Sequence, residues 1–381
     1  MKIAIVRTDC SSQDITSYNS QELGLALGLA KLGNTVDIFL GSKERSGSSV
    51  ISDRDPGVRI RYVGFCTIPI FDEPCYNQFL KPIFKEENYD LVQINEEGNF
   101  SSYLITRLCV SLGLPFVIYQ GMYKILSGRK WHLYESIHDR FLRPSMKRGA
   151  LTAFCKTTVS KRFLETRGYP RCTVLPVGLN FDVFDGCIET DWRAELGIGD
   201  TERVILYVGA LENRRNPEFL VRLAERAPEG YVFVIVGDGP ERVAVERASV
   251  DCGLKNIYIL GKLPQTELPS IYRQSDVFVL PSNYEIYGMV VIEALFFGVP
   301  VVSTPTAGPA DILTEYRLGT VIQDLNPDDW LDSIVGYCEQ GNAESDRSWR
   351  AEKALQQFDW AAIACRYASE VDAALQEVPR P

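Results

Sequence analysis

Two carboxylates stand out in the segment NYEIYGMVVIEALFFGVPVVST over 283–304: Glu285 in a loop-like stretch, and Glu293 eight positions on, inside an apolar run. An ionised carboxylate buried without a partner costs several kcal/mol. Glu293 must therefore pair with a cation, point out of the core, or meet a polar ligand. Two adjacent cations, Arg214 and Arg215, follow another apolar run, RVILYVG, in the stretch ALENRRN. Cations suit phosphate, and a carboxylate beside a phosphate site accepts hydrogen bonds from hydroxyls, as when gripping a ribose.

Such residues must be brought together by elements that put several loops on one edge. In the second half, RVILYVG (203–209), YVFVIVG (231–237), NIYILG (256–261), DVFVLP (276–281) and VPVVST (299–304) read as five strands with helical segments between them. Short apolar runs alternating with helices predict an α/β fold with a parallel, doubly wound sheet. Ligands bind beyond the carboxyl ends of such strands, so the loops after the first four face one crevice. A helix starting near Gly288 offers backbone N–H groups and a positive dipole end to a phosphate, with Glu293 in its second turn.

The first half has the same grammar: KIAIV (2–6), TVDIFL (35–40), YDLVQIN (89–95), PFVIYQ (115–120), LTAFC (151–155) and CTVLP (172–176) read as strands. The amphipathic SQELGLALGLAKLG (20–33) reads as a helix ending at a glycine. A chain of 381 residues suits two domains of roughly 150 to 200 residues, with a cleft between them. The expected division is 1–177, 178–357 with an Asp- and Gly-rich linker at 178–200, and a closing helix in 358–381.

Composition narrows the chemistry. The chain is 45% hydrophobic and 24% charged, with a formal charge of -10 and a pI near 5.0, which argues against nucleic-acid binding through phosphate contacts. Ten scattered cysteines form no C-x-x-C pair and have only His132 and His138 beside them, so zinc ligation is not expected. The cysteines read as small buried hydrophobes in a reducing compartment, and the two histidines as surface residues. The lone D-x-D, Asp53 to Asp55, lies in a turn-like stretch, and no metal site is expected. Met1 leads into KIAIV without a leader pattern, and no apolar run approaches the ~20 residues of a spanning helix; the expected location is cytoplasmic.

In order, VGLNFDVF (177–184), VGDGPE (236–241), YRQSDVFVLPS (272–282), Glu285, Glu293, Ala294 and GVPVV (298–302) resemble the family-4 retaining glycosyltransferases. The likeness is strongest from about 176 to 313. It implies two Rossmann-like domains in the GT-B arrangement, with the helix around Trp360 returning to the first domain. It also implies a hexosyltransferase-type enzyme (EC 2.4) that uses a UDP- or GDP-sugar as donor and needs neither cofactor nor metal. A glycan, lipid-linked or small-molecule acceptor would receive the sugar.

The same resemblance gives Glu285 and Arg215 catalytic roles. It places the donor against Gly209, Arg214, Arg215, Gly237, Lys262, Leu263, Glu285, Tyr287, Gly288, Met289, Val290 and Glu293. The base would lie at Lys262 and Leu263, the diphosphate at Tyr287 to Val290 and the ribose at Glu293. The acceptor side would include Asn19, Ser20, Gln120 and Tyr123. The pattern departs from the family at Ala210, where an arginine is usual, and at Ile286, where a glycine is. Asn19 and Ser20 replace a Gly-Gly loop, and Gln120 replaces a strand-end histidine. An alternative is therefore a GT-B nucleotide-binding protein that is non-catalytic or acts differently. A dinucleotide oxidoreductase would need G-x-G-x-x-G after a strand, and the nearest string, GDGPER (237–242), does not supply it.

The segment SGRKWHLYESIHDRFLRPSMKRG (127–149) stands apart. Trp131, Tyr134, His138, Phe141 and Leu142 gather near one helical face, with Arg129, Lys130, Arg140, Arg143, Lys147 and Arg148 around it. A basic amphipathic helix with aromatics suits peripheral docking on the inner, anionic face of a membrane, with Trp131 and Phe141 inserted. The alternative is a core-packing helix with solvated charges.

Overall fold

The computed structural model describes residues 1–8, 15, 20–68, 73–124, 129–315, 317–340 and 343–377. The chain forms two compact units, Met1–Asn180 with Phe358–Pro381, and Phe181–Gln357.

Ten strands belong to the first unit: β1 (Lys2–Val6), β2 (Thr35–Gly41), β3 (Ser49–Ile51), β4 (Val58–Val63), β5 (Cys66–Ile68), β6 (Glu73–Cys75), β7 (Leu91–Asn95), β8 (Phe116–Gln120), β9 (Ala150–Cys155) and β10 (Cys172–Val174). Eight of them form a sheet in the order β10-β9-β8-β7-β1-β2-β4-β3, and β5 and β6 pair as a separate hairpin. The neighbours are parallel except β3, which runs antiparallel to β4. Central strands β7 and β8 are buried at every position, which is why they read as continuous apolar runs rather than alternating ones.

The first helix, Gln21–Lys31, carries Gly24 and Gly28 one turn apart. A methyl group at Gly24 would lie 2.0 Å from the Trp360 indole nitrogen, and one at Gly28 would lie 2.6 Å from the Trp360 carbonyl oxygen. The two glycines thus make a groove for the closing helix, Trp360–Glu377, and that contact returns the end of the chain to the first unit.

The second unit is one parallel sheet. It comprises β11 (Arg203–Val208), β12 (Tyr231–Val236), β13 (Ile257–Gly261), β14 (Val277–Leu280), β15 (Val301–Ser303) and β16 (Gly319–Val321), in the order β13-β12-β11-β14-β15-β16. The five expected strands are present. The sixth, β16, was not expected, because three residues give no periodicity to read. Chain order reverses between β11 and β14, which pair Ile205 with Val277 and Leu206 with Phe278. A doubly wound sheet opens its crevice at such a reversal.

Candidate functional site

The loops leaving β11 and β14 meet at the reversal and are stapled together by side chains. Asn216, held in the left-handed region at φ 48°, donates from its side-chain amide to the Pro281 carbonyl oxygen at 2.8 Å. The Asn283 side chain donates to Asn216 Oδ1 at 2.9 Å, and the Asn283 backbone N–H donates to the Arg214 carbonyl oxygen at 2.8 Å. Sequence reading missed this staple, whose only signal is an asparagine in each loop just past a strand.

The staple brings two cations to Glu285. That carboxylate is buried and accepts from Ser282 Oγ at 3.1 Å. Its Oε1 lies 3.3 Å from Arg215 Nη1 and 3.6 Å from Arg214 Nη1. Arg214 is half-exposed and also bonds to Glu212 at 2.8 Å and to the Tyr284 carbonyl oxygen at 3.1 Å. Arg215 is seated deeper. Its Nε and Nη1 are buried without a hydrogen-bond partner among the described residues, and burying donors unpaired is costly.

Gly209 makes the seat possible, since a methyl group there would lie 2.7 Å from Arg215 Nη1 and 3.0 Å from the Tyr207 hydroxyl. Burial pushes that Tyr207 hydroxyl up to about 12, against the opposing pull of Arg215. Gly237 fits because a methyl there would meet the Gly209 carbonyl oxygen at 1.8 Å. The loops after β11 and β12 therefore approach backbone to backbone.

Beyond Glu285 the chain enters the helix Met289–Phe296. Its N-cap is Gly288 at φ 78°, which makes no side-chain cap; the first-turn N–H groups of a helix lack intrahelical partners. Tyr287 is buried, and Met289 and Val290 are half-buried. A methyl at Gly308 would lie 1.7 Å from the Tyr287 carbonyl oxygen, so the segment 307–312 packs directly on this turn. Beside it, Thr306 Oγ1 is buried without a hydrogen-bond partner among the described residues.

Glu293 lies in the second turn of this helix. It is fully buried, and its Oε2 accepts from the Tyr272 hydroxyl at 3.1 Å. The Tyr272 ring stacks on Phe297 at 5.4 Å. At the end of β13, Lys262 is exposed and Leu263 half-buried.

Candidates in the first unit take positions that organise backbone. Asn19 lies outside the described residues. Ser20 caps the first helix by accepting from the Leu23 N–H at 3.4 Å. Gln120 is buried at the end of β8, where it accepts from the Glu97 N–H at 2.9 Å and donates to the Met122 carbonyl oxygen at 2.8 Å. Tyr123 is half-buried, with the Lys124 ammonium 5.7 Å from its ring.

Three further expectations are corrected. His132 is exposed, but His138 is wholly buried, and burial pulls its pKa down against the nearby Glu97 carboxylate. Among the described cysteines, Cys109, Cys155 and Cys338 are buried, while Cys66, Cys252 and Cys365 are exposed. The face of 127–149 read as apolar is split: Tyr134 and His138 are buried, Trp131 and Leu142 half-buried and Phe141 exposed. Among the described residues, no group of three or more His, Cys, Asp or Glu could hold a metal ion. No described helix is long and apolar enough to cross a membrane.

Residues 188–354 match the glycosyl transferases group 1 family. The chain is 28% identical over 216 residues to a D-inositol 3-phosphate glycosyltransferase of Mycobacteroides abscessus, covering 55% of this chain and 48% of that protein. It thus spans about half the length of that relative. An uncharacterized glycosyltransferase of Methanocaldococcus jannaschii is 26% identical over 348 residues, 86% of each chain. Among solved structures, a sucrose-phosphate synthase from Thermosynechococcus elongatus superposes with a TM-score of 0.73 at 18% identity, covering 99% of this chain and 100% of that one. HepE of Anabaena in complex with UDP and glucose superposes at 0.70 and 17%, covering 98% and 100%. At these identities the structures show a shared fold, that of two Rossmann-like domains in the GT-B class.

Proposed function

We propose that this chain, whose residues 188–354 match the glycosyl transferases group 1 family, is a retaining glycosyltransferase. It moves a sugar from a UDP- or GDP-sugar to a glycan, lipid-linked or small-molecule acceptor. The observation that carries the reading is Arg215: a part-buried guanidinium whose Nη1 faces Glu285 at 3.3 Å and whose Nε is buried without a hydrogen-bond partner among the described residues, on the lip of the β11/β14 reversal. A cation held this way is preorganised for an anion, and a diphosphate supplies an acceptor oxygen for the donor that no described residue satisfies. The Anabaena structures with UDP and with UDP-glucose support a nucleotide diphosphate as that anion.

In this reading the donor diphosphate lies between Arg215 and the first turn after Gly288, with Arg214 at the outer edge. Glu285 accepts hydrogen bonds from sugar hydroxyls, and Glu293 binds the ribose. As the anomeric bond breaks, negative charge grows on the leaving diphosphate, and Arg215 and the helix start stabilise it more than they stabilise the ground state. The leaving phosphate takes the acceptor's proton on the face where the new bond forms, which keeps the configuration. These groups supply the positive charge that a divalent metal would otherwise provide.

The test is a thermal-shift screen of UDP, GDP and their sugars, followed by product analysis. A ligand at about 100 times its dissociation constant stabilises by about 2.7 kcal/mol. No shift with any nucleotide would reject the donor reading. A shift with no transfer to any acceptor class would reject the catalytic one.

A further inference from the structure

The stretch Arg129–Gly149 is a helix built inside out. Arg129–Ile137 is α-helical, His138–Leu142 is a π-helical turn, and Arg143–Gly149 continues as α-helix. Its inward face is polar. Arg143, almost wholly buried, donates to both oxygens of Glu97 at 3.1 Å and to Glu135 at 2.8 Å. Glu135 also accepts from Arg167, and Tyr134 donates to the Gly98 carbonyl oxygen at 2.9 Å. His138 is buried beside this network. These bonds to other elements fix which way the helix faces.

Its outward side carries an apolar stripe among exposed polar residues, His132, Ser136, Asp139 and Arg140. Leu133, Ile137 and Phe141 recur every fourth residue and are 64%, 41% and 70% exposed. The widened π turn keeps Phe141 in line with the other two. A helix at a water boundary ordinarily shows the reverse pattern. Nothing in the fixed polar network lets the helix roll to bury this stripe. By sequence the segment 127–149 carries six cations, Arg129, Lys130, Arg140, Arg143, Lys147 and Arg148, against two carboxylates, Glu135 and Asp139, in a chain whose formal charge is -10; of these, Arg143 belongs to the inward network. Arg140 and Arg148 are exposed next to the stripe.

The geometry points to an anionic bilayer as the occupant of this face, with Leu133, Ile137 and Phe141 entering the interface and Arg140 and Arg148 meeting lipid phosphates. An apolar stripe sinks about 5–10 Å into the headgroup boundary, and neighbouring cations add attraction to anionic lipid. The acidic remainder of the chain is repelled by the same surface, so this face is the one that docks. The inserted set is thus Leu133, Ile137 and Phe141 rather than Trp131 and Phe141. This inference is independent of the donor site.

The experiment is co-sedimentation of the full chain with vesicles of phosphatidylcholine alone or mixed with phosphatidylglycerol. The wild type should pellet with the anionic vesicles and release as salt rises. Leu133→Ser with Phe141→Ser should weaken that partition roughly tenfold or more, since two large apolar side chains stay in water. Arg140→Ser with Arg148→Ser should abolish the preference for anionic lipid. Both variants should keep the wild-type melting temperature and UDP thermal shift. The proposal is overturned by no pelleting at low salt, by equal pelleting with neutral vesicles, or by variants that pellet like the wild type. It is equally overturned by concentration-dependent dimerisation that Phe141→Ser abolishes, which would assign the stripe to a second copy of the chain.

Discussion

Replacing Arg215 by alanine separates function from stability more cleanly than any other change at the site. In the folded protein Arg215 leaves Nε buried without a hydrogen-bond partner among the described residues, while Nη1 faces the Glu285 carboxylate, and an unsatisfied buried donor costs about 1–3 kcal/mol. Removing the side chain relieves that cost. Against it stands the Glu285 carboxylate, which loses a cation at 3.3 Å but keeps Arg214 at 3.6 Å and the Ser282 hydroxyl at 3.1 Å. Losing the only partner of a buried charge costs about 3–5 kcal/mol, and two remaining partners place the loss well below that range. The two effects nearly cancel, so the melting temperature should stay within a few degrees of wild type. Turnover should not survive so well: removing one preorganised donor aimed at developing charge costs about 2.7–4 kcal/mol, or roughly a hundred- to a thousandfold in kcat. Steady-state kinetics with the best nucleotide sugar, alongside calorimetry of unfolding, reads both quantities. A large fall in melting temperature with kcat within threefold of wild type would make Arg215 a structural ion-pair partner and refute the reasoning. If Arg214→Ala is the inactive variant instead, the assignment is one residue out of register.

Glu293→Gln keeps the shape and the bond from Tyr272 but removes the charge, so it should weaken nucleotide-sugar binding while leaving the fold intact; calorimetry showing unchanged affinity would limit Glu293 to its bond with Tyr272. Transfer should survive a strong chelator and yield a product with the donor's anomeric configuration by NMR; activity restored only by magnesium or manganese, or an inverted product, would reject the mechanism. Glu87 is held down to about 2 from its ordinary 4.5, first by the Lys2 hydrogen bond and then by Arg61 and Arg59. A carboxylate depressed on folding contributes stability that is present above 4.5 and lost as pH falls toward 2, so Glu87→Gln should flatten the acid limb of stability in that window, and parallel limbs for variant and wild type would show no linkage.

What was legible in the sequence is what repeats or clusters along the chain. The strands of the second unit could be read because each apolar run is bounded by a loop, and Glu285, Arg214 and Arg215 could be read because charges stand out beside such runs. The Asn216–Asn283 staple could not, since its partners lie 67 positions apart and neither residue is unusual where it stands. The helix in 127–149 failed for a different reason. The sequence reading put Trp131, Tyr134, His138, Phe141 and Leu142 on one outward face, and here the buried pair Arg143–Glu97, 46 positions apart, accompanies a different register that buries Tyr134 and His138 and leaves Leu133, Ile137 and Phe141 outside. An ion pair with additional hydrogen bonds can be buried at tolerable cost, but its register is invisible until the loop after β7 that carries Glu97 is in place.

The same reasoning bears on the departure at Ala210. Where an arginine is usual after the strand glycine, the chain has a methyl group, and Arg214 is the nearest substitute in sequence. Arg214 is not equivalent in setting: its side chain is 42% exposed against 16% for Arg215, and its Nε and Nη1 already donate to Glu212 and Tyr284. Solvent screens an exposed cation, and donors already in use add little to a new anion. The positive charge available to a diphosphate is therefore concentrated on Arg215, which has donors to spare and a low-dielectric seat shaped by Gly209. A site that relies on one deep cation loses nearly everything when that cation goes, and Arg214→Ala should cost far less than Arg215→Ala.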